Sequence, residues 1–289
     1  MKQAIRKLPI KASKSYTMYD LVAPYFDPYW HFHEEYQLVV VLEGTGTRFV
    51  GDDIKHFEAG DMVLTGSNLP HVWRNDDIYF DNQGLRTRCV VIYFSFDFLG
   101  DAFLAKEEME GIQKLLDRAH RGLEVLGNTR DQVEGQMLEM LTQHGFEGVL
   151  SLLKILHQLS ETPDLTYINK EGYLNTVTDA DSKRMQRIHA YILDHFKGDI
   201  RLDEVAALAN LSPTSFSRYF KSHTNKTFSE FVAELRIGLA CKLLQTNDLS
   251  ILQIAHECGY KTLSNFNKKF RGIVGTNPFK YRQGYRSMR

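Results

Sequence analysis

Two copies of one helical pattern, about 49 residues apart, constrain this chain more than anything else in it. The first runs from Leu202 to Leu211 and on through Ser212 to Lys221; the second from Ser250 to Tyr260 and on through Thr262 to Arg271. Each reads as a short helix, a turn and a second helix. Asp203 and Glu204 sit in a first turn, where carboxylates favour the helix dipole. Asn210 and Gly259 close the short helices with residue types that tolerate left-handed backbone. Ser212-Pro213 is an N-cap followed by proline at the first helical position, and Thr262 caps the matching helix. Ser250 and Gln253 make a capping-box pattern. Phe216 with Phe220, and Phe266 with Phe270, are i, i+4 pairs that read as core anchors. Between the copies, Phe228 to Gln245 reads as one helix striped by Phe231, Leu235, Leu239 and Leu243. Ahead of them, Lys183 to Phe196 repeats Met185, Ile188, Ile192 and Phe196 and stops at Gly198.

The charge is divided along the same line. Of 35 basic and 36 acidic side chains, residues 183–289 hold 18 and 8, a net +10 that leaves −11 for residues 1–182. A basic segment is the electrostatic footprint of a phosphate-binding surface. Faces not used by the phenylalanines carry Thr214, Ser217, Arg218 and Lys221 on one second helix, and Leu263, Ser264, Asn265, Lys268 and Lys269 on the other. Arg reads guanine, Asn reads adenine, an apolar side chain meets a thymine methyl, and flanking Lys and Arg hold phosphates. Double-stranded DNA is the partner these residues suit. The linking helix would set the two reading helices apart, ideally by ~34 Å, the spacing of successive major grooves.

At this point the C-terminal 100 or so residues resemble the AraC/XylS family of bacterial transcription regulators. Ile254-Ala255, Cys258-Gly259-Tyr260, Phe266, Lys269-Phe270, Gly275, Pro278 and Tyr281-Arg282 carry the resemblance in order. It implies base reading by Thr214, Ser217, Arg218, Leu263, Ser264, Asn265 and Lys268. Phosphate contacts are expected at Lys221, Lys261, Lys269 and Arg271. RNA polymerase is a further candidate partner. The pattern has departures: Arg201 stands where a Ser or Thr cap is usual, small hydroxyls dominate the first reading face, and Asn277-Pro278 replaces Thr-Pro.

The acidic half alternates. Tyr36 to Leu42 is a β-branched and aromatic run closed by Glu43-Gly44-Thr45-Gly46, and turn signals recur at Gly51-Asp52 and Ala59-Gly60-Asp61. Short strands with such turns argue a small β-barrel or sandwich. The pattern resembles the cupin barrel carried by many regulators of that family. His31, His33 and Gln37 match its first motif, and Gly60, Pro70, His71 and Asn75 its second. On a strand, His31, His33, Glu35 and Gln37 would share one face. Three readings stay open. His31, His33, Gln37 and His71 could hold a divalent metal, although Gln37 stands where the resemblance puts a carboxylate; Glu35 is a possible substitute. They could instead hydrogen-bond a small polar effector such as a sugar beside Trp30 and Trp73. They could also satisfy local backbone groups.

Residues 106–160 read as helical. Phe146, Val149, Leu150, Leu153, Leu156 and Leu159 follow helical spacing, and Leu152 and Ile155 widen the apolar surface. Such a helix packs on two partners, the barrel and a second protomer, or is buried within its own domain. A homodimer is expected. Residues 161–182 are polar and aperiodic, and read as a linker. The fold class is therefore α+β in two domains. Residues 1–160 would form a cupin-like domain, with a barrel over about 15–100 and helices over about 106–160, and 183–289 an all-α DNA-binding domain. No run approaches the ~18–20 apolar residues of a membrane span. Met1 to Arg6 lacks the apolar core of a signal peptide. Cys89, Cys241 and Cys258 are odd in number and lack metal or redox spacing, so a cytoplasmic setting is expected. The function implied is a ligand-responsive, sequence-specific DNA-binding regulator. The alternative is a metal-dependent cupin enzyme fused to a DNA-binding module.

Overall fold

The computed structural model describes residues 13–81, 83–171, 173 and 179–286, and divides into two compact units near residue 175. The expected 161–182 connection therefore includes residues 172 and 174–178, which lie outside the described residues.

The first unit is built on two antiparallel sheets. Strands β1 (Tyr16–Ala23), β2 (Tyr36–Glu43), β3 (Gly46–Val50), β4 (Asp53–Phe57), β5 (Met62–Thr65), β6 (His71–Asn75) and β7 (Thr87–Phe94) precede the helices. α1 (Asp101–Leu104) and α2 (Glu110–Ala119) follow, then β8 (Leu123–Val125), α3 (Gly127–Met140), α4 (Phe146–Glu161) and β9 (Leu165–Tyr167). One sheet runs in the order β1-β7-β2-β5-β8-β9, the other β4-β3-β6.

Strand periodicity sorts the larger sheet into two buried faces. Tyr36, Leu38, Val40, Met62, Leu64, Val90, Ile92 and Phe94 pack in one core with Leu115 and Leu116 of α2, Val133 and Met137 of α3, and Leu152, Ile155 and Leu156 of α4. Val39, Val41, Val63, Cys89 and Val91 face the smaller sheet, meeting Val50, Phe57 and Trp73. A strand buried on both faces reads as a continuous apolar run, as Leu38 to Leu42 does. In α4, Leu152, Ile155, Leu156 and Leu159 are fully buried in their own unit and Leu153 packs against the same core. The intradomain alternative thus accounts for most of this helix, although Phe146 at its start is 72% exposed.

Two departures from the sequence reading concern short segments. β8 lies within the stretch expected to be helical, and pairs with β5. Residues 165–169, expected as linker, belong to the first unit: β9 pairs with β8, and Asn169 is buried. Asn169 Oδ1 accepts from the Asp52 amide at 2.7 Å, its Nδ2 donates to the Arg121 carbonyl, and the Arg121 guanidinium donates to the Asn169 carbonyl. Asp164 holds the start of α3, accepting from the Thr129 amide at 3.3 Å and its hydroxyl at 2.8 Å. Three-residue strands and single polar anchors are too short to carry a period.

The second unit is all helical: α5 (Asp179–His195), α6 (Leu202–Leu208), α7 (Pro213–Thr224), α8 (Phe228–Thr246), α9 (Ile251–Glu257), α10 (Leu263–Val274) and α11 (Pro278–Arg286). Met185, Ile188 and Ile192 of α5 are fully buried. Asn210 and Gly259 both have positive φ. Ser212, Thr262 and Ser250 cap their helices as expected, the last in a capping box with Gln253. A second capping box, Thr227 with Glu230, opens α8. Arg201 provides no side-chain cap to α6 and pairs instead with Asp203. α8 packs against α7, α9, α10 and α11.

Candidate functional site: two recognition helices and a histidine cluster

In each helix-turn-helix unit the phenylalanines orient the second helix. Phe216, Phe220, Phe266 and Phe270 are completely buried. That turns Thr214, Ser217, Arg218 and Lys221 of α7 to solvent, and Leu263, Ser264, Asn265, Lys268 and Arg271 of α10; Lys269 is half-buried. Arg218, Lys221, Lys268, Lys269 and Arg271 make no ion pair among the described residues. Two expected contacts are engaged within the protein. The Ser217 hydroxyl donates to the Pro213 carbonyl at 2.9 Å, and Lys261 Nζ pairs with Asp199 Oδ2 at 3.1 Å.

In the first unit the structure brings His31, His33 and His71 together, but not by shared strand parity. The strand begins only at Tyr36, and residues 32–35 precede it. His31 instead forms a reciprocal backbone bridge with His71, at 3.2 and 2.8 Å, which folds the loop over β6. Ring centroids lie 4.7 Å apart for His31–His71 and 4.9 Å for His33–His71.

Every Nδ1 in the cluster faces a backbone carbonyl two residues away: His31 to Tyr29 at 2.8 Å, His33 to Glu35 at 2.9 Å and His71 to Leu69 at 2.7 Å. A carbonyl can only accept, so each Nδ1 carries its hydrogen. In the neutral ring that leaves Nε2 with its lone pair. One ligand nitrogen from each ring lies within 4.8 Å of the others. Gln37 Oε1 stands 3.2 Å from His33 Nε2. Two lone pairs at that distance repel unless the amide presents its NH₂ or a cation lies between them. The donor set therefore fits a divalent transition metal, with three imidazole nitrogens and one amide oxygen.

Glu35 does not join this set. Its carboxylate lies 3.6 Å from His33 Nδ1, on the far side of the ring from Nε2. Trp30 and Trp73 are both buried; the Trp73 ring lies 5.8 Å from His71, with its N–H donated to Asp61 at 2.8 Å. Asp61 also accepts from buried Arg48.

The family signature described as a helix-turn-helix domain matches residues 205–284, and that of a cupin domain matches 21–77. The HTH-type transcriptional activator RhaS of Enterobacter sp. is 25% identical over 259 residues, covering 88% of this chain and 87% of the relative. The MmsAB operon regulatory protein of Pseudomonas aeruginosa is 26% identical over 260 residues, covering 88% and 77%. The DNA-binding domain of AdpA, a global transcriptional factor solved with a target DNA, is 30% identical over 35% of this chain and 92% of its own, with a TM-score of 0.34. The chain belongs to the AraC family of transcription regulators. This AraC-family protein is a DNA-binding regulator with an N-terminal cupin domain. No helix among its described residues is long and apolar enough to cross a membrane.

In this AraC-family regulator, the sequence reading missed Tyr93, whose ring stands 5.3 Å from His33. Tyr93 is the β7 register partner of Gln37, and burial pushes its phenol well above the usual range. The alternation Cys89, Val91, Tyr93 was the available signal. Arg48 was missed as well: a lone arginine in a strand reads as solvent-facing until its buried carboxylate partners are known.

Proposed function

We propose that the cupin domain senses a small polar effector at His31, His33, Gln37 and His71, and that its occupancy alters how the second unit engages DNA. One observation carries the reading: His31, His33 and His71 each bring a ring nitrogen to within 4.8 Å of the others, with the Gln37 amide beside His33. Such a set accepts a cation or the hydroxyl donors of a polyol or sugar. Trp73 and Tyr93 supply flanking rings. In the same reading Thr214, Ser217, Arg218, Leu263, Ser264, Asn265 and Lys268 read bases, and Lys221, Lys261, Lys269 and Arg271 hold phosphates. A homodimer matched to paired half-sites, and RNA polymerase as downstream partner, belong to it too.

A divalent metal at this cluster is favoured by the fixed tautomers. When bound it would supply a Lewis-acidic point on which an effector hydroxyl or carboxylate docks. His31, His33, His71 and Gln37 would hold and orient it.

The test uses the purified full chain. Titration calorimetry with Zn²⁺ and Ni²⁺, followed by thermal-shift screens of sugars and polyols with and without the metal, should find a stabilising ligand. His33→Ala and His71→Ala should abolish that shift while DNA affinity stays within a few-fold. A ligand effect on DNA affinity of ~1–3 kcal/mol is expected. An unchanged ligand response in both variants would place the sensor elsewhere.

A further inference from the structure

A groove of about 980 Å³ runs along one edge of α10, bordered by α9 and α11. Leu263 and Lys268 line it, so it is continuous with the face assigned to base reading. Its wall also includes Ile251 of α9, Arg271 of α10, and Phe279 and Lys280 of α11. Its charge has one sign. Lys268, Arg271 and Lys280 line it without any Asp or Glu, and none of the three forms an ion pair among the described residues. Lys226 and Lys261 of the same unit are by contrast paired, with Glu234 and Asp199. Apolar Ile251, Leu263, Pro278 and Phe279 line it beside the cations, and Phe279 is 60% exposed.

Unpaired cations beside apolar side chains suit a phosphodiester backbone. Phosphates meet the cations, and the carbon face of deoxyribose packs on a phenyl ring. A helix inserted in a major groove necessarily has a backbone strand passing along its edge. We propose that this groove holds the DNA backbone flanking the bases read by α10, with Lys280 and Phe279 as contacts outside either helix-turn-helix unit. The inference rests on α10 reading DNA. An acidic protein partner would also meet three cations, but continuity with α10 favours DNA.

The experiment uses the full chain and a duplex that it selects from a randomised pool, with an unrelated duplex of equal length beside it. Lys280→Ala should weaken both duplexes roughly three- to tenfold at low salt and flatten the slope of log affinity against log salt by about 0.9, one phosphate's worth. Phe279→Ala should weaken both by about threefold or more at an unchanged slope, because it removes packing and no charge. Both side chains are exposed, so circular dichroism should report an intact fold. Affinity and slope equal to wild type in both variants would overturn the proposal. So would loss of reporter transcription with DNA affinity intact, which would make the groove a protein-docking surface. If the unmodified chain enriched no duplex at all, the DNA reading of α10 would fall, and the groove assignment with it.

Discussion

Gly259 lies against the main chain of Lys197: a Cβ on the glycine would stand 2.6 Å from the lysine carbonyl oxygen. The glycine also has φ +79. Arg236 of α8 reaches the same place, donating to the carbonyls of Phe196 and Gly198, each at 2.7 Å. The loop after α5 is thereby clamped to the turn of the second helix-turn-helix unit, so α8 is not the sole connection between the two units. Gly259→Ala should cost roughly 2–4 kcal/mol, since it combines left-handed strain with a backbone collision. Denaturant titration of the full chain measures this. Affinity for a selected duplex should fall in parallel; a variant with wild-type stability would mean the loop yields without cost.

Stability of the second unit should depend on pH through His189. Burial pushes its imidazole down to about 3, and its ring packs edge-on to Phe231 at 5.2 Å. An unfolded chain binds a proton near pH 6.5 and the folded one does not, so falling pH favours unfolding. Between pH 8 and pH 5 the loss should be about 2 kcal/mol. His189→Leu should remove that part of the pH dependence, read as the narrowing gap between melts at the two pH values. An equal gap in wild type and variant would assign the acid sensitivity to other groups.

Asn169 should behave as a structural pin. Asn169→Ala strips the Asp52 amide of its acceptor and the Arg121 carbonyl of one donor, at a cost of roughly 1–3 kcal/mol. Trypsin cleavage after exposed Lys170 should speed up as the segment loosens. Unchanged cleavage and stability would show that β9 alone holds the segment.

Arg218 and Lys269 should separate base reading from phosphate holding. Arg218→Ala should cost roughly 1–3 kcal/mol on the selected duplex and relax discrimination at one position. Lys269→Ala should weaken every duplex about equally. Because the Ser217 hydroxyl already donates to the Pro213 carbonyl and can only accept from a base, Ser217→Ala should cost less than Arg218→Ala. Competition binding with single-base variants of the duplex decides all three.

Much of the second unit was legible because its information is local. A capping serine, a proline at the first helical turn, a residue tolerant of positive φ and phenylalanines four apart each act within one or two turns. Ser212, Pro213, Asn210, Phe216 and Phe220 therefore announced α6 and α7, and their counterparts announced α9 and α10. The Thr227–Glu230 capping box that opens α8 is equally local. His31, His33, Gln37 and His71 could be named together only through a motif resemblance, and strand parity gave the wrong reason for their meeting.

What the sequence determined by itself was the helical repeat, its solvent-facing side chains, the division of charge and the alternation of the main strands, all set by neighbours within a few residues. Tertiary structure decided the rest. The backbone bridge between His31 and His71 spans forty positions of sequence, and it helps gather three separate histidines into one cluster. The anchoring of Asn169 beside Asp52, the burial of Arg48 beside Asp61 and the clamp at Gly259 likewise depend on partners distant in sequence. No periodicity reports such pairs, because each is fixed by packing between elements and not by the order of residues within one.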